Sequence, residues 1–526
     1  VPFESLIIEP PEAEWTVDLA NMTNPAICKL RQQSRKRLVD AAEQFVLRLS
    51  LAARTAGLDS VQTSILTGDP ATTPIVMTGH QPVIFHSGLT FKYQTTEAFA
   101  ARHRMIAIAI VIDTDEGDAG AFSYPSDDWS QRQPDGAAAS NHLRLVSRSA
   151  TLAQKPGLYS ASRLKPNATL AAESHTIENE LRRSHFDASA TAFHRAAQQY
   201  AALADSAPGG FSTMEANLIT RWNAGVGGRM LELPLSAICS FPEFMRFTSA
   251  ILERPFEFAQ CYNETLNSFR SEHRIRNQAN PFPNLTIEDA WSELPYWIVD
   301  HATGTRDVLR VRQESGGIIL ESSRERLLTV EKLNVAEALT SLLFAGKQLV
   351  PRGALITATL RLLFSDLFVH GTGGGKYDPC TDQLIRNWWS AEPSPFAVAS
   401  ASRFLLADRR EDLLQLQMIK TQLRDMQYNP QRFFGTSVFS ASLEEQLGIL
   451  LQKKDAAVSK LKTARATGES SAGTGHEIQG LTDAIKAAVA TEFEPRLAEY
   501  SELTGETIAA ITSRTWPWFM FDEQKT

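Results

Sequence analysis

Apolar residues near the start of the chain fall in short continuous runs rather than in alternation. Pro74-Ile75-Val76-Met77 is one run, and Met105-Ile106-Ala107-Ile108-Ala109-Ile110-Val111-Ile112 is another. A run without polar interruption marks a strand covered on both faces, as in a parallel sheet. Leu89 to Arg102 reads as the helix between them, so residues 73 to 115 predict a β–α–β unit. Residues 119 to 165, rich in Ser, Pro, Asp and Gly, read as a long irregular excursion. Helical periodicity runs from about Ile177 to Leu203 and again between Leu231 and Arg274, whereas Ala290 to Arg312 is β-rich with a turn at Gly304. Leu349 to Phe364 predicts an apolar helix or strand, Leu367-Phe368-Val369 a strand, and Asp382 to Trp389 a helix.

The last third changes period. Leu443, Leu447, Leu450, Ala457, Leu461 and Ala464 are spaced by threes and fours with Lys454 in one seam position, and Ile478, Leu481, Ile485 and Ala488 resume the pattern after a tip at Thr467 to Gly475. This predicts an antiparallel helical hairpin, preceded by a helix from Leu405 to Met426. Two helices bury little by themselves, so the arm packs on the core or on another subunit.

A chain of 526 residues exceeds what one hydrophobic core usually supports, which predicts more than one structural unit. Lys+Arg 52 against Asp+Glu 60 gives a net charge of -8, so there is no global attraction to nucleic acid or anionic lipid. No run of about 18 apolar residues argues for a membrane span. Cys28, Cys239, Cys261 and Cys380 are far apart without a CxxC pair, which fits a reducing cytoplasm better than a disulfide framework or a zinc site. Val1-Pro2-Phe3-Glu4-Ser5 shows no basic stretch followed by an apolar one.

Candidate chemistry gathers where strands end. Thr78-Gly79-His80-Gln81-Pro82 follows the first run, with His86 and Gly88 at the expected helix start. Backbone N–H groups there can hold phosphate oxygens, and His80 or His86 as a cation can stabilise charge on a leaving phosphate. A tight turn whose histidines cap a helix accounts for the same residues. The second strand ends in Asp113-Thr114-Asp115-Glu116-Gly117-Asp118, whose Asp113, Asp115 and Asp118 can bind magnesium, orient an amine or act as a base; a solvated acidic turn is the alternative. His370-Gly371-Thr372-Gly373-Gly374-Gly375-Lys376-Tyr377-Asp378 is glycine-rich, but it lacks the spacing and the Ser or Thr of a P-loop. Its glycines permit close backbone approach to a ligand, with Lys376 as a point charge, or simply a sharp turn. Arg352 and Arg361 can clamp a carboxylate or phosphate or form structural ion pairs; Trp291, Trp297, Trp388 and Trp389 fit core packing or a pocket wall; Cys380 fits a buried residue or a reactive thiol.

The ordered set strand, TGHQP, helix, apolar strand, DTDEGD, then LFVHGTGGGKYD and a long helical hairpin resembles the bacillithiol-biosynthesis cysteine-adding enzyme family, specifically around residues 74 to 118 and 352 to 389. The resemblance implies an α/β fold: a Rossmann-like, nucleotidyltransferase-type parallel sheet core with a helical connector region and a C-terminal antiparallel coiled-coil hairpin that mediates homodimerisation. The corresponding divisions are 1–170 and 276–400 for the core, 171–275 for the connector, 401–500 for the arm and 501–526 for a tail returning to the core. Carried over by motif, Gly79, His80 and Gln81, Asp113 and Asp115, and Gly373, Gly374 and Lys376 belong to the pocket. His80 in place of a polar amide and the extended glycine segment mark a divergent branch.

The resulting expectation is a cytoplasmic ligase joining an amino acid, cysteine by resemblance, to a small amine. His80, Asp113, Asp115 and Lys376 are its catalytic residues, and Gly79, Gln81, His86, Gly88, His370, Gly371, Gly373, Gly374 and Gly375 hold ATP or another nucleotide, with Mg near Asp113, Asp115 and Asp118. A nucleotidyltransferase acting on a small phosphorylated substrate and a non-catalytic nucleotide-binding dimeric scaffold are the alternatives. All three require His80, Asp113, Gly374 and Lys376 to face one cleft.

Overall fold

A computed structural model describes residues 5–17, 24–58, 68–127, 145–206, 211–314, 317–331, 335–467, 472–498, 500 and 503–521. In chain order the N-terminal half contains β1 (Ser5–Glu9), α1 (Pro25–Thr55), β2 (Ile75–His80), α2 (Ser87–His103), β3 (Ile106–Val111), the short strands β4 (Glu116–Gly117), β5 (Ala121–Asp127), β6 (Leu145–Thr151) and β7 (Gly157–Leu158), then α3 (Asn167–Arg183), α4 (Asp187–Asp205) and α5 (Thr213–Asn223). There follow β8 (Leu231–Pro234), α6 (Leu235–Cys239), α7 (Pro242–Leu252), α8 (Pro255–Glu272), β9 (Trp291–Asp300), β10 (Thr305–Glu314), β11 (Gly317–Glu321), β12 (Arg326–Glu331), α9 (Val335–Phe344), β13 (Lys347–Pro351), α10 (Ala354–Leu363), β14 (Leu367–His370), α11 (Thr372–Trp389) and β15 (Phe396–Ser402). The C-terminal helices are α12 (Arg410–Tyr428), α13 (Ala441–Thr467), α14 (Ala472–Ala498) and α15 (Gly505–Thr512).

The fold is mixed α/β. One sheet has the order β1-β15-β14-β2-β3-β8, with every pairing parallel except that of β1. All six residues of β3 are buried, which is why its sequence shows no alternation. A second, antiparallel sheet has the order β12-β11-β10-β9-β13.

Several local expectations change. The stretch 171–275, expected to be a helical connector, supplies β8 to the first sheet; its four residues are too few to show a strand period, and all are buried. Residues 119–165 contain β5, β6 and β7 rather than continuous irregular chain among the described residues. Helix α1 spans 31 residues and starts where Asn24 Oδ1 accepts the N–H groups of Ala26 (3.0 Å) and Ile27 (3.2 Å), with Pro25 at the first position. The hairpin tip falls partly at 468–471, outside the described residues.

Two compact units result, one from residues 1–124, 149–403 and 514–526, the other from 125–148 and 404–513. Both sheets lie in the first unit, as does the segment 514–521, where Trp518 N donates to Phe85 O (2.8 Å). Within the second unit, Leu443 and Leu447 of α13 share a core with Ile485, Val489 and Phe493 of α14 and with Met426 of α12. Ser440, just before α13, donates its N–H (2.7 Å) and hydroxyl (2.6 Å) to Glu492, so the start of α13 lies against the end of α14.

Asp366, fully buried at the entry to β14, accepts from Arg35 (2.7 Å) and from Ile75 N (2.6 Å) and also pairs with Arg31. Breaking a buried ion pair by removing one partner strands the other charge. Asp366→Asn is expected to destabilise the first unit by about 3 to 5 kcal/mol, read as a shift of its urea unfolding transition against wild type.

Candidate functional site

The carboxyl edge of the parallel sheet is built from strand ends that the sequence motifs mark. At Gly79 a Cβ would sit 2.8 Å from Ile110 O, so glycine permits β2 to approach β3 this closely. His80 follows in register with Val111 and donates Nδ1–H to Gln81 O (3.1 Å). Burial, with the nearby charge of Lys92, pushes the His80 imidazole down to about 3. Lys92 of α2 is itself buried; its Nζ donates to Gly79 O (2.8 Å), and burial pulls it down to about 7. The expected charge-stabilising His80 cation is therefore corrected to a neutral imidazole. His86 accepts from Gly88 N (3.1 Å) as the N-cap of α2, and burial holds its ring below the usual histidine range, so it serves as a cap rather than a cation.

The three aspartates of DTDEGD diverge. Asp113, buried, accepts the N–H (3.0 Å) and hydroxyl (2.6 Å) of Ser236 at the start of α6; burial raises its carboxyl, and the Ser236 bonds oppose that rise. Asp118 Oδ1 accepts Gly120 N (2.9 Å) within its own turn. Asp115 accepts from Gln81 Nε2 (3.1 Å) and from Arg306 Nη1 (2.6 Å). Among the described residues no group of three or more His, Cys, Asp or Glu side chains could hold a metal ion, so the shared Mg site at Asp113, Asp115 and Asp118 is not formed.

The glycine-rich segment is helix, not loop. Gly371 is the N-cap of α11, and Gly373, Gly374, Gly375 and Lys376 lie in its opening turns. A Cβ at Gly374 would meet His370 Nδ1 at 2.6 Å, and one at Gly375 would overlap Val398, so these glycines let the helix sit on the ends of β14 and β15. Gly371 and Gly373 face open space. His370 is buried and donates Nε2–H to Asp378 (2.9 Å), which also accepts from the buried Arg361 (2.5 Å). Burial would raise Asp378, but His370 and Arg361 outweigh it and hold the carboxyl below the usual range. His370 and Arg361 thus belong to a structural ion cluster. Lys376 is exposed, with Nζ 5.5 Å from the Tyr377 ring centroid. Cys380 is buried, and burial pushes its thiol up to about 12, against a reactive thiolate.

A cavity of about 370 Å³ opens just beyond the carboxyl end of β3, between Ile112, Thr114 and Asp115 on one side and residues of the second sheet and its flanks on the other. Its size is ordinary for a small-molecule site. Of the expected site residues, Asp115 lines it; His80, Asp113, Gly374 and Lys376 are not among its lining residues. Trp297 of β9 forms a central wall, with the Arg306 and Arg352 guanidinium carbons 4.2 Å and 4.7 Å from its ring centroid. Arg306 also donates to Thr114 O (3.0 Å), bringing the second sheet onto the DTDEGD turn.

Arg352 is placed by backbone. Its N–H donates to Pro295 O (2.9 Å), and Gly353 follows at φ 59°, where a side chain would be strained and a Cβ would meet Phe282 Cδ1 at 3.0 Å. Tyr262, also lining the cavity, is held protonated by burial. The sequence marks Trp297 and Arg352 separately and gives no local sign of Arg306, which joins them only through the folded second sheet. The usable signal was the Pro351-Arg352-Gly353 turn at the end of an apolar strand.

No protein-family model matches this chain, and no curated protein matches it.

The neutral His80 gives a signed pH dependence. Between about pH 6.5 and pH 3 the unfolded chain binds the proton that the native ring refuses, so stability rises with pH in that window. Wild type is expected to lose up to about 1.4 kcal/mol per pH unit relative to His80→Gln on acidification below pH 6.5; parallel pH profiles of denaturant stability would contradict the neutral ring.

Proposed function

We propose that this chain is a cytoplasmic ligase that joins an amino acid, cysteine in the family it resembles, to a small amine-bearing acceptor. In this reading the parallel sheet and its helices form a Rossmann-like, nucleotidyltransferase-type core. The observation that carries the proposal is the cavity at the carboxyl end of β3, where a carboxylate, Asp115, and a guanidinium without hydrogen-bond partners among the described residues, Arg352, line one space. Ligand sites of open α/β sheets lie at this edge.

Asp115 is the group that receives the acceptor's amine as its free base and takes one N–H proton as the nitrogen lone pair attacks the activated carboxyl carbon. The new bond is C–N, and the activating group leaves with the electron pair of the bond it breaks. Gln81 and Arg306 hold the Asp115 carboxylate, and Tyr262 keeps a hydroxyl donor on the wall. ATP or another nucleotide supplies carboxyl activation when bound. Its phosphates are assigned to the amides of Gly373 and Gly374 with Lys376, since Gly375 N already donates to Gly371 O (3.0 Å); the reading is supported by an opening turn of α11 that has no acidic residue and no side-chain cap. The aspartates do not fit a protein-held Mg²⁺, so no step is routed through one.

The helical arm is read as a coiled-coil homodimer contact. Leu414 (62% exposed) and Met418 (50%) on α12 and Ile449 (49%) on α13 support it, because large apolar side chains left in water favour a partner.

Two outcomes are expected. With ATP, an amino acid and amine acceptors, Asp115→Asn should lower kcat/KM by about 100-fold or more, the scale of a lost general base, while the variant keeps a wild-type far-UV circular dichroism spectrum; wild-type rates in the variant, or no ATP-dependent C–N bond formation by wild type across an acceptor panel, would overturn the ligase reading. Sedimentation should give a dimer for wild type and a monomer for Leu414→Glu/Met418→Glu.

A further inference from the structure

The two arginines on Trp297 are not equivalent. Arg306 spends its donors on Thr114 O and Asp115, with Glu116 at 3.7 Å from Nε. Arg352 makes no side-chain hydrogen bond among the described residues; the carboxylate paired with it, Glu293, lies at 3.9 Å, beyond hydrogen-bond reach. Its side chain is only 18% exposed, and it lines the cavity, so its donors are left to solvent and to whatever enters that space. The guanidinium is nevertheless aimed by its backbone bond to Pro295, by the left-handed Gly353 that follows and by stacking on Trp297. The rest of the lining is largely apolar, including Tyr262, Phe282, Pro283, Leu285 and Ile356.

The geometry points to Arg352 as the anchor for an oxyanion, a carboxylate or a phosphate monoester, on a small molecule whose body is apolar or flat and lies against Trp297 and Phe282. The planar fork of arginine matches both oxyanions in a bidentate fashion, whereas the apolar wall selects for the body that carries them. This names the substrate class of the cavity and rests on reading that cavity as the substrate site.

Benzoate, phenyl phosphate, inorganic phosphate and the neutral benzamide, titrated into the full chain by ligand-observed NMR, test it. Benzoate or phenyl phosphate should bind at least about tenfold more tightly than benzamide, and also more tightly than inorganic phosphate. Arg352→Met should weaken the preferred aryl anion by about tenfold to a hundredfold, the range of a charge-assisted hydrogen bond. Arg352→Lys, which keeps the charge and stem, should weaken it less and reports on the anchor if the methionine variant does not fold. The stronger of the two aryl anions identifies carboxylate or phosphate as the source. Equal binding of benzamide and the anions, no anion binding at all, or unchanged affinity in both variants would overturn the anchor. Anion binding lost in the variants without any ATP-dependent ligation by wild type would leave the anchor standing and remove the ligase reading. Ligation with an unchanged KM in Arg352→Met would do the reverse.

Discussion

Asp366 sets the frame on which the rest of the first unit depends. Its buried carboxylate ties the entry of β14 to the first residue of β2 through Ile75 N, and two arginines of α1 converge on it from the covering helix. One acceptor therefore couples strand register to helix placement. A one-residue slip of β14 against β2 would leave two buried guanidinium groups without their carboxylate and turn the strand's side chains to the opposite faces. Because His80 and His370 are the last residues of these two strands, the positions of both strand-end motifs follow from that register.

The same logic of paired and unpaired charge distinguishes the two sides of the carboxyl edge. Toward β14, Asp378 accepts from both Arg361 and His370 inside the protein, and Arg361 also pairs with Asp382, so this arginine's acceptors are supplied by the chain and support α11. Toward β3, Arg306 is consumed in fastening Asp115, while Arg352 is oriented but left without hydrogen-bond acceptors among the described residues. Both sides use arginine, and the difference is whether the chain also supplies the acceptor. That difference, more than the presence of glycine, separates structure from candidate chemistry here.

What the sequence made legible follows from how locally each feature is specified. The unbroken apolar run of β3 and the β–α–β unit around it were readable because a strand buried on both faces declares itself in six consecutive residues. Strand β8 was not, since its four residues sit between helices and only its pairing with β3 makes it a strand. The reason for the glycines after His370 is tertiary: Gly374 and Gly375 clear His370 and Val398 from the opening turns of a helix, which no local pattern distinguishes from a loop. Asp115 was legible as a candidate. Its partners Arg306 and Gln81, and the Trp297 wall, were not, because they lie on separate elements joined only when the second sheet meets the end of β3.

His80 and Lys92 complete the argument about where charge is available. Both are nitrogen bases near the end of β2, and burial disfavours the cationic form of each, leaving His80 bonded to Gln81 O and Lys92 to Gly79 O. Such groups shape a turn and offer hydrogen bonds, but the cation that an incoming oxyanion requires must come from a residue whose charge survives burial. Arginine retains its proton where lysine and histidine release theirs. Arg352 meets that requirement on the cavity wall, and its stacking on Trp297 holds the charge in place without neutralising it.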